Sequence, residues 1–125
     1  MRIAITGTIG SGKSTVCARL REKGYDVFDC DEVNRFLLEP GNEGYLSVKE
    51  VFPECFANEK LNKKKLSAAV FTDEEKRRTL EAIMHPLILK QLKERQDDPL
   101  FAEVPLLFEA GWDSYFDWKI LVVTD

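Results

Sequence analysis

"RIAITGTIGSGKSTVCARLREKG", residues 2–24, passes from an apolar run through a cluster of glycines into a mixed polar segment. The run "RIAIT" (2–6) is short, Ile-containing and closed by Gly7, which predicts a buried strand. From Lys13 to about Lys23, Val16, Ala18 and Leu20 fall among polar residues as they would on a helix, and Gly24 stands where a C-terminal cap is wanted. Between strand and helix, Gly7, Gly12, Lys13 and Ser14 satisfy G-x-x-x-x-G-K-[ST]. The glycines permit backbone angles that other residues resist, so successive N–H groups can turn inward onto phosphate oxygens. The helix that follows points its positive end at the same place. Lys13 is predicted to reach the β- and γ-phosphates, and the Ser14 hydroxyl to ligate Mg²⁺. The predicted nucleotide site is therefore Gly7, Thr8, Ile9, Gly10, Ser11, Gly12, Lys13, Ser14 and Thr15, with Lys13 also catalytic. The competing account, a Gly-rich turn carrying a solvated Lys, does not explain why the motif sits between a strand and a helix. The motif is strong for nucleotide binding and weak for the reaction.

The 125 residues suffice for one packed core. Hydrophobic residues make up 44% and charged ones 32%, too apolar for a disordered chain. The net charge of −4 means that a phosphate ligand must be held by local positive groups against a mildly unfavourable overall field. No apolar run approaches the ~20 residues needed to cross a bilayer, and the N-terminus does not read as a signal peptide. Neither a membrane nor a nucleic-acid partner is expected. Cys17, Cys30 and Cys55 are odd in number and form no C-x-x-C pair, which argues against disulfides and zinc and for a reducing cytoplasm. Each is expected to serve as a small buried hydrophobe.

"YDVFD" (25–29) predicts a second strand, so the chain opens as strand, phosphate loop, helix, strand, the start of a parallel α/β sheet. Residues 31 to 38 predict a short helix that stops before Pro40-Gly41. Residues 42 to 99 read as helical throughout, with no convincing strand. Within them, Thr72 followed three residues on by Glu75 suggests a capping box, and Leu80, Ile83, Leu87, Ile88 and Leu92 mark one apolar face. Pro86 interrupts that face, predicting either a kink or two helices that meet at His85. "LFAEVPLLF" (100–108) is a third strand, and "WKILVVT" (118–124) a fourth, β-branched and continuous enough to be central.

The chemistry is narrowed by what surrounds the phosphate loop. "NKKK" (62–65) lacks the final Asp of the N-K-x-D motif that reads guanine. "VFDCD" (27–31) places two carboxylates two residues apart at the carboxyl end of the second strand, where ligands gather in doubly wound sheets. Asp31 there would accept a proton from a substrate hydroxyl attacking the γ-phosphate, and Asp29 would orient a donor or water. Spacing alone equally allows Asp31 to be a helix N-cap and Asp29 a solvated turn residue.

The opening 41 residues, through "VFDCDEVNRFLLEPG", closely resemble the dephospho-CoA kinase family, whose loop reads T-G-G-I-G-S-G-K-S-T and whose second strand ends in V-I-D-A-D. "KLNKKKLSAAVFTDEEKRRTLEAIMHPLI" is similar to the family's stretch ending in L-E-x-I-x-H-P, and "VPLLFEAGW" to its V-P-L-L-F-E-x-G. The resemblance covers essentially the whole chain in order. It implies an α/β P-loop NTPase fold, three-layer αβα, with a parallel-sheet core over 1–30 and 100–125 and a helical acceptor-binding insertion over 31–99. It implies ATP-dependent phosphorylation of the ribose 3′-hydroxyl of dephospho-CoA, the last step of coenzyme A synthesis, with Mg²⁺ and Asp31 as catalytic base. His85, Leu107, Phe108 and Glu109 fall where the family lines the acceptor pocket. Without the resemblance, His85 reads as a helix-end residue and Leu107 and Phe108 as core. Kinases of another nucleoside or small hydroxyl compound, and a non-catalytic nucleotide-binding module, are the alternatives.

The chain departs from the family pattern in places. Thr8 stands where a second Gly is usual, and Lys63 replaces an Arg, keeping charge but losing bidentate phosphate recognition. "FPECF" replaces the usual F-G start of the following turn. The family continues into a lid bearing arginines, whereas after Arg95 this chain carries Lys119 alone as a cation. Such missing cations cost roughly 10³–10⁵ in phosphoryl transfer. The expectation is thus a fragment, incomplete at the C-terminus, that binds phosphate and transfers it poorly. The full protein is expected to be a monomer, and the fragment to be open to pairing through an exposed sheet edge.

Overall fold

In the computed structural model, which describes residues 1–7, 12–104 and 112–123, Arg2–Gly7 forms strand β1 and Lys13–Glu22 forms helix α1. β2 is Val27–Asp29, shorter than the expected 25–29, and α2 is Cys30–Leu37. The order continues through α3 (Glu43–Val51), a 3-10 turn (Pro53–Cys55), β3 (Phe56–Ala57), β4 (Lys60–Leu61), α4 (Lys63–Phe71) and α5 (Glu74–Lys93). β5 (Leu100–Glu103), a second 3-10 turn (Asp113–Tyr115) and β6 (Trp118–Val122) complete it. The contacts divide the chain into two compact units, one of Met1–Cys30 with Leu92–Asp125 and one of Asp31–Gln91.

The first unit is built on a parallel sheet in the order β2-β5-β1-β6. β1 is flanked on both sides, with Ile5 opposite Glu103 of β5 and Ile120 of β6. Flanking explains its burial: Ala4, Ile5 and Thr6 are almost inaccessible. Phe28, Leu100, Ala102, Val104 and Leu92 fill the rest of this core. Its end is tied by backbone bonds from Leu100 N–H to the Met1 carbonyl (2.8 Å) and from Asp117 N–H to the Arg2 carbonyl (2.8 Å). The Arg2 guanidinium lies 4.3 Å from the centroid of the Tyr115 ring.

α1 ends as its sequence dictates. Gly24 takes φ +94°, Gly24 N–H bonds the Arg21 carbonyl (3.0 Å), and Tyr25 N–H reaches back to Leu20 (3.1 Å), a Schellman cap. β6 departs from expectation. Its continuous apolar run reads as a central strand, yet among the described residues it pairs only with β1. Trp118 is 63% exposed and Leu121 58%, because an apolar run reports a preference for burial and not the number of neighbouring strands.

The second unit packs helices over a core of Leu37, Tyr45, Val48, Phe52, Cys55, Leu66, Met84 and Ile88. Gly44 is required on α3, since a Cβ there would stand 2.7 Å from the Leu37 carbonyl oxygen. Four sequence expectations change here. Residues 42–99 contain strands after all: β3 and β4 pair antiparallel, joined by Asn58 and Glu59 at φ +53° and +63°. Two-residue strands are too short to show a period. The cap of α5 is Asp73, whose carboxylate accepts from Glu75 N–H (3.0 Å) and Lys76 N–H (3.2 Å). Thr72 instead donates its hydroxyl to the Ala68 carbonyl at the end of α4 (3.0 Å). α5 is one helix through Pro86, so the alternative of two helices meeting at His85 falls; Pro86 has no N–H to offer the carbonyl of Ala82. Its fully buried positions are Met84, Ile88 and Leu92, spaced by four, so Met84 belongs to the stripe and Leu80, Ile83 and Leu87 sit at its margins.

Candidate active site

The described part of the phosphate loop begins where β1 ends and resumes at α1. Gly7 closes β1 in register with Val122 of β6. Gly12 is the N-cap of α1 at φ +91°, ψ 5°, and its carbonyl accepts the first helical bond from Val16 N–H at 3.1 Å. No side chain caps this helix and no acidic residue lies in its first turn. Gly12 brings no side-chain oxygen to the first-turn N–H groups, and a helix N-terminus of this kind suits an anionic ligand. Lys13 is half-buried, while Ser14 and Thr15 are exposed. Thr8, Ile9, Gly10 and Ser11 lie outside the described residues, as do Leu107, Phe108 and Glu109.

α1 packs on the sheet face that carries Asp29 and Glu103. These two residues end β2 and β5 and are register partners. The Cys17 thiol donates a hydrogen bond to the Glu103 carboxylate, and Lys13 and Arg21 act on the same carboxylate through charge. Burial, and then the Asp29 charge, push Glu103 above the usual carboxylate range, with Lys13, Arg21 and the thiol bond pulling the other way. Burial and Glu103 push the Cys17 thiol up to about 11, so it is a neutral donor. All three cysteines are buried thiols.

Sequence reading overlooked Glu103. The alternation in "LFAE" puts Phe101 and Glu103 on one face and Leu100 and Ala102 on the other, but only the strand order brings Glu103 beside Asp29. In the second unit, Asp31 lies exposed inside the first turn of α2, one residue past its start at Cys30. It is thus a first-turn acid favoured by the helix dipole and not the cap. His85 sits half-buried within α5; burial holds its pKa below the ordinary value, partly offset by Glu81.

Comparison with known proteins gives a consistent result. The family model described as dephospho-CoA kinase matches residues 1–125. A Thermus thermophilus dephospho-CoA kinase is 40% identical over 124 residues, covering 96% of this chain and 60% of its own length. A Geobacillus kaustophilus dephospho-CoA kinase is 39% identical over 132 residues, covering 98% of this chain and 65% of its own length. The chain thus spans about two thirds or less of these curated relatives. Among solved structures, the Thermus thermophilus protein TT1252 superposes with a TM-score of 0.81 at 38% identity, over 98% of this chain and 65% of that one. A Campylobacter jejuni dephospho-CoA kinase superposes with a TM-score of 0.73 at 24% identity, over 96% of this chain and 64% of that one, and supports the fold. The parallel sheet, the succession of β1 and α1 around the phosphate motif and these matches together identify a P-loop NTPase fold, and the chain belongs to the dephospho-CoA kinase family.

Proposed function

We propose that the gene product carrying these residues transfers the ATP γ-phosphate to the ribose 3′-hydroxyl of dephospho-CoA, the final step of coenzyme A synthesis, in the cytoplasm. The observation that carries this reading is the family match over residues 1–125 coinciding with the phosphate motif on the β1–α1 junction. Gly7 to Thr15 hold the nucleotide's phosphates, with Gly12 at positive φ as the N-cap of α1 and the helix N-terminus suited to an anion. Lys13 neutralises charge on the β- and γ-phosphates. Among the described residues no three or more His, Cys, Asp or Glu converge on a metal position, so the Mg²⁺ reading rests on the Ser14 hydroxyl. When bound there, Mg²⁺ supplies charge neutralisation at the phosphates. Asp31 takes the proton of the attacking hydroxyl, and as an exposed first-turn carboxylate it is accessible to a substrate.

The helical unit, with His85, and the segment holding Leu107, Phe108 and Glu109 supply the acceptor contacts. No described helix is long and apolar enough to cross a membrane. The test is direct conversion: the gene product is incubated with ATP, Mg²⁺ and dephospho-CoA, and the product's phosphate position is assigned by NMR. Coenzyme A phosphorylated at the 3′ position is expected. Turnover of a different hydroxyl compound with dephospho-CoA left unchanged would overturn the assignment.

A further inference from the structure

Helix α2 carries its charges on one side. Cys30 and Leu37, seven residues apart, are buried and fix the inward face. At about 100° per residue, Arg35 lies about 40° round the axis from Asp31 and one turn further along, on the outward face. Both residues are exposed. Residues at this spacing have Cβ atoms about 5–6 Å apart, so their side chains can serve one small molecule. Asp31 and Glu32 open the helix and Arg35 stands in its last turn, an order that the helix dipole favours. The dipole accounts for a cation there, but it makes no use of the guanidinium's donors. Among the described residues Arg35 enters no ion pair. Arg77 and Arg78, by contrast, pair with Glu74, Arg77 also with Glu81, and Arg95 with Asp97. Arg2 stacks on the Tyr115 ring, and Arg19 and Arg21 stand in the last turn of α1, at the end away from the phosphate motif.

We infer that Arg35 binds the acceptor's phosphates: its guanidinium holds the 5′-diphosphate of dephospho-CoA while Asp31, one turn before it, serves the 3′-hydroxyl. This rests on the reading of Asp31 as the proton acceptor. The acceptor carries its hydroxyl and its diphosphate on one ribose ring, so a base for the first and a cation for the second have to stand close together. One helical turn, about 5.4 Å, provides that spacing. The guanidinium fork meets two phosphate oxygens at once, which a lysine ammonium does not. The charge balance points the same way. Asp31 and Glu32 repel a diphosphate and the chain carries −4 overall, so a local cation has to offset them. Arg35 thereby selects acceptors that bear phosphate beside the hydroxyl over bare nucleosides. No bond to phosphorus forms or breaks at Arg35; it binds and orients.

The test is steady-state kinetics of the full gene product, with dephospho-CoA and ATP varied in turn, for wild type, Arg35→Gln and Arg35→Lys. The unfolding temperature of each is measured alongside. Arg35→Gln is expected to raise KM for dephospho-CoA by about 10- to 100-fold, the loss of a charge-assisted contact. KM for ATP is expected to stay unchanged, and kcat to fall less than kcat/KM. Arg35→Lys is expected to recover part of the loss. A role confined to the helix dipole would lower the unfolding temperature, leave KM alone and be fully restored by lysine. An unchanged KM for dephospho-CoA in Arg35→Gln, a rise in KM for ATP in its place, or full recovery in Arg35→Lys overturns the inference. Asp31→Asn, run beside them, separates this inference from the reading beneath it. Full transfer in that variant removes the base, while a KM change confined to Arg35→Gln still places the diphosphate. A wild type that leaves dephospho-CoA unphosphorylated overturns the proposed reaction and the inference with it.

Discussion

Gly12 and Gly24 share a backbone conformation and differ in position, which makes them a matched pair for testing the cradle. Gly12 has φ +91° and Gly24 φ +94°. A Cβ at Gly12 would meet the Val122 Cγ1 atom at 3.9 Å, an ordinary contact, and at Gly24 it would meet nothing within 4 Å. Against the described residues neither Gly→Ala change carries a steric clash, and the left-handed conformation costs each about 1–2 kcal/mol. If the 125 residues melt cooperatively, that lowers Tm by about 4–8 °C in each variant. The consequences for phosphate differ. At Gly12 the chain can relieve strain by turning φ negative, which swings the first-turn N–H groups off the anion position. Losing one charge-assisted hydrogen bond is worth about 1.5–3 kcal/mol, or roughly 10- to 100-fold in ATP affinity. Gly24→Ala lies at the far end of α1 and is expected to leave ATP affinity unchanged. Thermal unfolding and ATP titration of both variants decide the matter. Equal ATP affinity in Gly12→Ala and Gly24→Ala, with similar Tm losses, would refute the reasoning.

Other positions give independent checks. Gly44→Ala gains about 1 kcal/mol of helix propensity but drives a Cβ to within 2.7 Å of the Leu37 oxygen and 3.0 Å of Met84 Cε. Net destabilisation of about 1–3 kcal/mol is expected from overpacking, and a raised Tm would contradict it. Asp73→Ala is expected to cost about 1 kcal/mol through the lost cap, more than Thr72→Ala, in denaturant titrations; the reverse order would restore the cap to Thr72. Burial lowers the pKa of His85 in the fold, so the unfolded chain binds more protons as pH drops from 6.5 towards that depressed value. Stability is expected to fall through that window and to fall less in His85→Gln, measured by Tm against pH.

The sequence carried the site's frame because the phosphate motif is a local device: strand, glycines, lysine and helix are contiguous and bring their own backbone requirements. What it could not carry depends on partners distant in the chain. Glu103 reads as an ordinary polar position until β5 is placed between β1 and β2, when it comes to face Asp29. β6 shows the converse, since an apolar run invites a central place and the described sheet gives it one neighbour. The β3–β4 pair was illegible because two residues cannot display alternation; only Asn58, a residue tolerant of positive φ, hinted at the turn. In α5, Met84 is absent from the apolar face that Leu and Ile mark, yet it is buried with Ile88 and Leu92. Pro86 allows either a kink or a break, and the helix continues through it.

Asp31→Asn in single-turnover phosphoryl transfer decides whether Asp31 is the proton acceptor. If Asp31 serves the acceptor hydroxyl, ATP affinity stays close to wild type and the transfer step slows by roughly 10²–10⁴. Transfer within a few-fold of wild type, or a loss of ATP binding in place of the slowed step, would contradict it.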